Sequence, residues 1–156
     1  MIETKGGTFL PTLGFTLTAK PDRIDELPDG RLHILDYKTG APPTPKQQAA
    51  FDKQLLLEAA MAERGAFAEL GPRDVARITY VGLNSAAKVE TTEITPDLTG
   101  AVWQDLHRLI ARYMTREQGY ASRRAVFDMR IPGAYDHLAR FGEWDMTDIA
   151  DAEDVG

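Results

Sequence analysis

Along the first forty residues short apolar runs alternate with polar ones at a period of two. Phe15–Leu17 and Arg31–Tyr37 read as strands, and Pro28-Asp29-Gly30 between them is a turn signal. Thr39-Gly40-Ala41-Pro42-Pro43 then breaks the second strand. From there the apolar period becomes helical. The pattern predicts one long helix from Thr44, whose hydroxyl caps it with Pro45 in the first turn, to about Arg64, with Gly65 ending it. Val75–Leu83 and Lys88–Ile94 predict a second strand pair around Asn84-Ser85. A second helix follows from Pro96, capped by Thr95, to Met114, in which Trp103, Leu106, Leu109, Ile110 and Tyr113 fall at helical spacing and read as core. A short helix is expected over Tyr135–Arg140. The order β-β-α-β-β-α predicts an α/β chain, an α+β mixed sheet flanked by helices.

A hairpin centred on Asp29 carries chemistry. Its pairing rule makes partner numbers sum to 58, so Leu27 faces Arg31, Ile24 faces Ile34, Asp22 faces Asp36 and Lys20 faces Lys38. Side chains alternate along a strand, which places Ile34, Asp36 and Lys38 on one face with Asp22 and Ile24. Opposed like charges repel, and a divalent cation between the two carboxylates reverses the sign of that contribution. Magnesium or manganese takes a few hard oxygen ligands and keeps its waters, so two carboxylates and a backbone carbonyl suffice. The other reading of the same residues is a surface hairpin whose Asp22, Arg23, Asp25 and Asp36 are solvated or salt-bridged.

The bulk composition changes little until its distribution is considered. Zero cysteines exclude disulfides, thiolate zinc sites and cysteine-held iron–sulfur clusters, and fit a cytoplasmic location. No apolar run is long enough for a membrane span, so no membrane partner is expected. A net charge of −6 argues against nucleic acid. Yet six acids, Glu143, Asp145, Asp148, Asp151, Glu153 and Asp154, lie beyond residue 142 without any lysine or arginine, and the remainder is formally neutral. This divides the chain into a domain over 1–142 and an acidic tail over 143–156, read as solvated and disordered.

Leu17-Thr-Ala-Lys-Pro-Asp-Arg-Ile-Asp25, Asp29-Gly30 and Ile34-Leu-Asp-Tyr-Lys-Thr-Gly40 together resemble the DRID…DYKTG signature of RecB-like nucleases of the PD-(D/E)XK superfamily. Gln54-Leu-Leu-Leu-Glu-Ala-Ala60 and Tyr135-Asp-His-Leu-Ala-Arg140 with Glu143-Trp144 are similar to the carboxy-terminal nuclease domain of AddB, a helicase–nuclease subunit of double-strand-break repair. The resemblance implies a restriction-endonuclease-like core and a magnesium- or manganese-dependent deoxyribonuclease of exonuclease type. Asp22 and Asp36 would be metal ligands, with the Tyr37 carbonyl completing the inner shell. Lys38 would be the catalytic lysine, and Gln54 would join the catalytic group. Glu3, followed by Gly6-Gly7, resembles the start of the strand preceding the hairpin and would add a carboxylate near the metal.

The sequence also departs from that pattern. Relatives carry Tyr four residues after the Gln, whereas here Glu58 follows Gln54, one turn along the same helix face and either turned to the site or solvated. Lys20-Pro21 replaces a small residue and Arg-Ala. The family's usual first helix is missing, so the sheet face bearing Ile24 and Ile34 is expected to be partly uncovered, with either self-association or weak activity of the isolated chain as the consequence. The implied partners are DNA and an AddA-like helicase subunit, or the missing amino-terminal part of AddB. The same residues also fit a catalytically incomplete DNA-binding or assembly module, or a stand-alone nuclease of a phage or mobile element.

Lys20, Arg23, Arg123, Arg124 and Arg130 are the candidate DNA contacts, the last three interleaved with Tyr120 and Phe127. His33, His107 and His137 share no ligand spacing, and His33 falls on the strand face opposite Asp36. The tail reading has a direct check. Deleting residues 145–156 is expected to leave the melting temperature nearly unchanged, and a fall of many degrees would show that Met146 or Ile149 is docked.

Overall fold

The turn forms as its residue types dictate. Gly30 takes φ +82°, which a side chain would make strained. The Gly30 amide donates to the Leu27 carbonyl at 2.9 Å, and the Leu27 amide donates to the Arg31 carbonyl at 2.8 Å. Asp29 closes the loop by accepting from the Arg31 amide at 3.0 Å. The computed structural model describes residues 4–84, 87–119, 136–138, 140, 142, 143 and 147. It divides into two units, Met1–Arg108 and Leu109–Gly156.

In the first unit, β1 (Gly6–Leu10) and β2 (Phe15–Ala19) form a two-stranded antiparallel ribbon joined by a 3₁₀ turn over Pro11–Leu13. The main sheet holds β3 (Arg23–Glu26), β4 (Leu32–Lys38), β5 (Val75–Gly82) and β6 (Val89–Glu93), in that order. β3–β4 and β5–β6 are antiparallel, and the central β4–β5 pair is parallel. A parallel pair requires a crossover, supplied by α1 (Pro45–Ala50) and α2 (Gln54–Glu63). The mixed sheet with flanking helices is therefore as expected. Phe15–Leu17 did read as a strand, but it pairs with Gly6–Leu10, and the partner of β4 is Arg23–Glu26. The short β1 is glycine-rich because a Cβ on Gly6 would sit 2.4 Å from the Phe67 ring.

The hairpin register is the 58-sum: Arg23 faces Leu35, Ile24 faces Ile34, Asp25 faces His33 and Glu26 faces Leu32. It does not extend to Lys20 and Lys38, because backbone pairing stops at Arg23. Ile24 and Ile34 are fully buried with Leu55, Ala59, Phe67 and Ile78 in one core. Each large aliphatic side chain so buried contributes roughly 1.5–3 kcal/mol. The expected uncovered face is thus closed by α2, and the ground for self-association on it goes too. Leu55, Leu56, Ala59, Ala60, Met61 and Ala62 make α2 apolar nearly all round, and its alanines permit close approach to the sheet.

The single helix expected over residues 44–64 is two. Thr44 and Gln47 form a reciprocal capping box with Pro45 in the first turn, but α1 ends at Ala50. The Asp52 amide reaches back to the Gln47 carbonyl at 2.9 Å, a five-residue step that breaks the ladder. Across this break Tyr80 of β5 donates its hydroxyl to Asp52 Oδ1 at 2.9 Å and accepts from the Leu55 amide at 3.4 Å. Tertiary hydrogen bonding outweighs local helix propensity here.

A third helix, α3, spans Pro96–Tyr113, and Thr95 Oγ1 caps it by accepting from the Leu98 amide at 3.3 Å. Its expected core stripe is only partly right: Thr99 and Val102 are its buried residues, Trp103 packs half-buried beneath the Arg64 guanidinium, and Leu109 is exposed. The helix faces the core one position earlier than apolar spacing suggests. The described positions within 135–140 form a turn, not a helix, with Arg140 at φ +50°.

Tyr80 locks the break that aims α2. Tyr80→Phe is expected to lower stability by about 1–3 kcal/mol, the cost of leaving buried polar partners unsatisfied. Denaturant unfolding would read it, and an unchanged midpoint would show that the helix break does not depend on this hydroxyl.

Candidate active site

Asp36 lies in β4 on the face turned to α2 and is only 4% exposed. An ionised carboxylate taken from water is costly unless it is paired and hydrogen-bonded. Gln54 Nε2 donates to Asp36 Oδ1 at 3.1 Å, and Lys38 Nζ lies 2.9 Å from Oδ2 as an ion pair without hydrogen-bond alignment. Lys38 in turn donates to Gln54 Oε1 at 3.2 Å and sits 5.6 Å from the centre of the Tyr80 ring. The three side chains close a triangle in which each touches the other two.

Asp22 stands just outside β3, at the position opposite Asp36 in the hairpin register. Its Oδ2 accepts from the Tyr37 amide at 2.9 Å, so a side chain carries on the ladder where backbone pairing ends. Asp22 is exposed, and Tyr37 follows Asp36 along β4. The structure thus brings Asp22, Asp36, Lys38 and Gln54 to one end of the β3–β4 hairpin, with Tyr37 between Asp36 and Lys38 in the chain.

Glu58 joins them, and its placement resolves the choice between site and solvent. It is 4% exposed, on the same face of α2 as Gln54, whose Nε2 also donates to Glu58 Oε1 at 3.3 Å. One amide group therefore lies between two buried carboxylates. Glu58 Oε2 is buried with no hydrogen-bond partner among the described residues. Burial foremost, with the negative charges of Asp36 and Asp22, pushes the Glu58 carboxyl up to about 7, against the opposing effects of Gln54 and Lys38. Spacing hinted at this residue through the i, i+4 relation to Gln54, but burial decided it.

An open pocket of about 300 Å³ adjoins the cluster, between Thr18, Ala19 and Lys20 at the end of β2 and Gln54, Leu57 and Glu58 of α2. Lys20 thus lies at the mouth of the site. Arg23 does not: it pairs with Leu35 on the opposite sheet face and is tied to Asp25 at 2.7 Å. His33 shares that face, bonded to Thr79 Oγ1 at 2.8 Å. Glu3, Arg123, Arg124 and Arg130 lie outside the described residues.

The donor set suits a hard divalent cation. Carboxylate oxygens are the only anionic ligands present, and Asp36 Oδ2 and Glu58 Oε2 are buried oxygens short of hydrogen-bond donors. Among the described residues no three acidic or histidine side chains form a ready-made cage. In this arrangement the Gln54 amide stands between Asp36 and Glu58.

The profile of the PD-(D/E)XK nuclease superfamily matches residues 2–145, and the chain belongs to that superfamily. No curated protein matches it. The mixed sheet with flanking helices agrees with the superfamily's restriction-endonuclease-like fold.

The environment of Glu58 gives a pH signature. Its proton is held to about pH 7 in the folded chain against an ordinary value of 4.5. Between those limits the folded state binds the extra proton, so stability is fully present below the window and falls as pH rises through it. The displacement is worth on the order of 3 kcal/mol at most. In chelator-treated protein the melting temperature is expected to decline from pH 5 to pH 8, and Glu58→Gln to flatten the decline. Equal slopes in the two proteins would assign the effect elsewhere.

Proposed function

We propose that this PD-(D/E)XK chain is a magnesium- or manganese-dependent deoxyribonuclease that hydrolyses phosphodiesters at the Asp22–Asp36–Lys38 cluster. The observation that supports this most is the end of the hairpin, where Asp22 accepts from the Tyr37 amide beside Asp36 while Lys38 and Gln54 grip the buried Asp36 carboxylate. Asp22 and Asp36 would hold the cation, with the Tyr37 carbonyl. When bound, it supplies Lewis acidity towards a phosphoryl oxygen and a lowered pKa for water.

The chain's own groups supply the rest. Lys38 has three N–H donors, of which one goes to Gln54 while the charge pairs with Asp36, so donors remain for water or a phosphate oxygen. Its ammonium offsets negative charge that grows on the phosphorus oxygens. Gln54 fixes the Lys38 ammonium by accepting with Oε1 and fixes Asp36 by donating with Nε2, so both groups are oriented before substrate arrives. Lys20 at the pocket mouth offers a phosphate contact.

The finer reading is an exonuclease-type domain of an AddAB- or RecBCD-like double-strand-break repair system, cytoplasmic and acting beside an AddA-like helicase subunit. It rests on the AddB-like Gln54–Ala60 segment, which forms the face of α2 that closes the site. Among the described residues no helix is long and apolar enough to cross a membrane.

Labelled single- and double-stranded DNA at low salt is expected to be cleaved with magnesium or manganese and not with chelator. Asp22→Ala and Asp36→Ala should abolish cleavage, and Asp36→Ala should also lose metal binding in calorimetry. Lys38→Ala should lose roughly 10²–10³-fold in rate, as when a single electrostatic donor is removed, with metal binding retained. Cleavage that survives chelator or the Asp22 substitution would overturn the metal mechanism. Loss of metal binding with Lys38→Ala would make the lysine structural.

A further inference from the structure

Glu58 is an unusual thing to find in α2. The rest of that stretch is Leu55, Leu56, Ala59, Ala60, Met61 and Ala62, which pack the core. A carboxylate placed among them has lost its water, and only one of its oxygens has a donor, the Gln54 amide at 3.3 Å. Leaving a buried polar group unsatisfied costs about 1–3 kcal/mol, and more if it is charged. Lys38 is paired with Asp36 and donates to Gln54 instead, and Lys20 stands at the mouth of the same pocket. Glu58 lines the open pocket, so an ion arriving there has a route to it. The same Gln54 Nε2 bonds Asp36 and Glu58, and that amide occupies the space between two carboxylates where a cation satisfies both.

We propose that Glu58 is a third carboxylate ligand of the metal centre, and that the Gln54 amide keeps its place between Asp36 and Glu58 in the metal-free chain. This deepens the nuclease reading and rests on Asp36 being a metal ligand. The three side chains come from the edge of β3, from β4 and from α2, so the ion ties the helix to the sheet. Among the described residues no three acids form a ready-made cage, so side chains of the cluster must rearrange as the ion enters.

Manganese titration of the full chain by calorimetry, beside thermal melts with and without the ion, tests this in the wild type, Glu58→Gln and Asp36→Asn. The expectation is that Glu58→Gln weakens manganese binding by more than about ten-fold, the least that even an outer-shell partner typically costs. Its metal-free melting temperature should equal or exceed that of the wild type at pH 7.5, while the rise on adding manganese shrinks. Wild-type affinity in Glu58→Gln with loss in Asp36→Asn would overturn the third ligand and leave the nuclease reading standing. Wild-type affinity in both would remove the metal reading of the cluster itself. Should Glu58→Gln fail to fold, infrared difference spectra of protein labelled with ¹³C-glutamate decide the matter, taken with and without magnesium in the wild type and in Glu3→Gln. A glutamate carboxylate band that moves in both supports the proposal, and bands that stay in place overturn it.

Discussion

Everything in the first unit is arranged around the burial of one carboxylate, that of Asp36. A charge on the central strand of a mixed sheet, beneath a helix, is unfavourable by several kcal/mol unless partners come to it. Lys38 reaches it from the same strand, two residues on, because side chains at that spacing share a face. Gln54 reaches it from α2, and only because α2 starts where it does. Had α1 continued unbroken through Phe51 and Asp52, the phase and axis of the helix would differ, and Gln54 and Glu58 would not both meet β4. The Tyr80–Asp52 hydrogen bond is therefore part of the site although neither group faces the pocket.

That dependence explains which features were legible in the sequence. The hairpin was, because Pro28-Asp29-Gly30 sets the turn and a turn centred on Asp29 then fixes each partner, down to Arg23 across from Leu35. Helix caps were legible for the same local reason: Thr44 with Pro45, Gly65 after α2, and Thr95 before α3 are each set by residues within a turn of them. The break at residues 51–53 was not. Ala49-Ala50-Phe51-Asp52-Lys53 holds neither glycine nor proline, and its cause is a tyrosine 28 residues away. Strand β1 was hidden from propensity, since Gly6-Gly7 is a poor strand former and Gly6 answers to the Phe67 ring, and only the family resemblance pointed to a strand starting there. The covering of Ile24 and Ile34 was misjudged because α2 closes that face itself, whatever precedes the first strand.

The site was legible to the extent that it lies on the hairpin. Asp22, Asp36 and Lys38 followed from register, and the family resemblance added Gln54. Glu58 stayed ambiguous because an i, i+4 pair of polar residues on a helix is ordinary at a surface and informative only when buried. Arg23 shows the converse. Its neighbours in the motif face the cluster, but strand alternation sends Arg23 to the other side of the sheet, where Asp25 takes its charge and the Tyr37 hydroxyl accepts from Nη1.

The same electrostatics bears on whether this chain is an enzyme or only a folded module that presents the motif. A module needs stability from its core and gains nothing from acids there. Replacing a buried ionic group with apolar residues of similar size is often neutral or stabilising. Here Asp36 and Glu58 stand a single amide apart, and among the described residues a buried oxygen of Glu58 finds no donor, in a helix whose other buried residues are leucine, alanine and methionine. Such unsatisfied groups in an otherwise well-packed core are where function commonly resides. The instability has the right sign for the proposed chemistry, because a divalent cation converts two mutually repelling acids into a ligand pair. A pocket opening on Glu58, with Lys20 at its edge, gives that ion and a phosphate a way in. Burial without such an opening would describe a structural acid; burial beside it fits the proposed metal site.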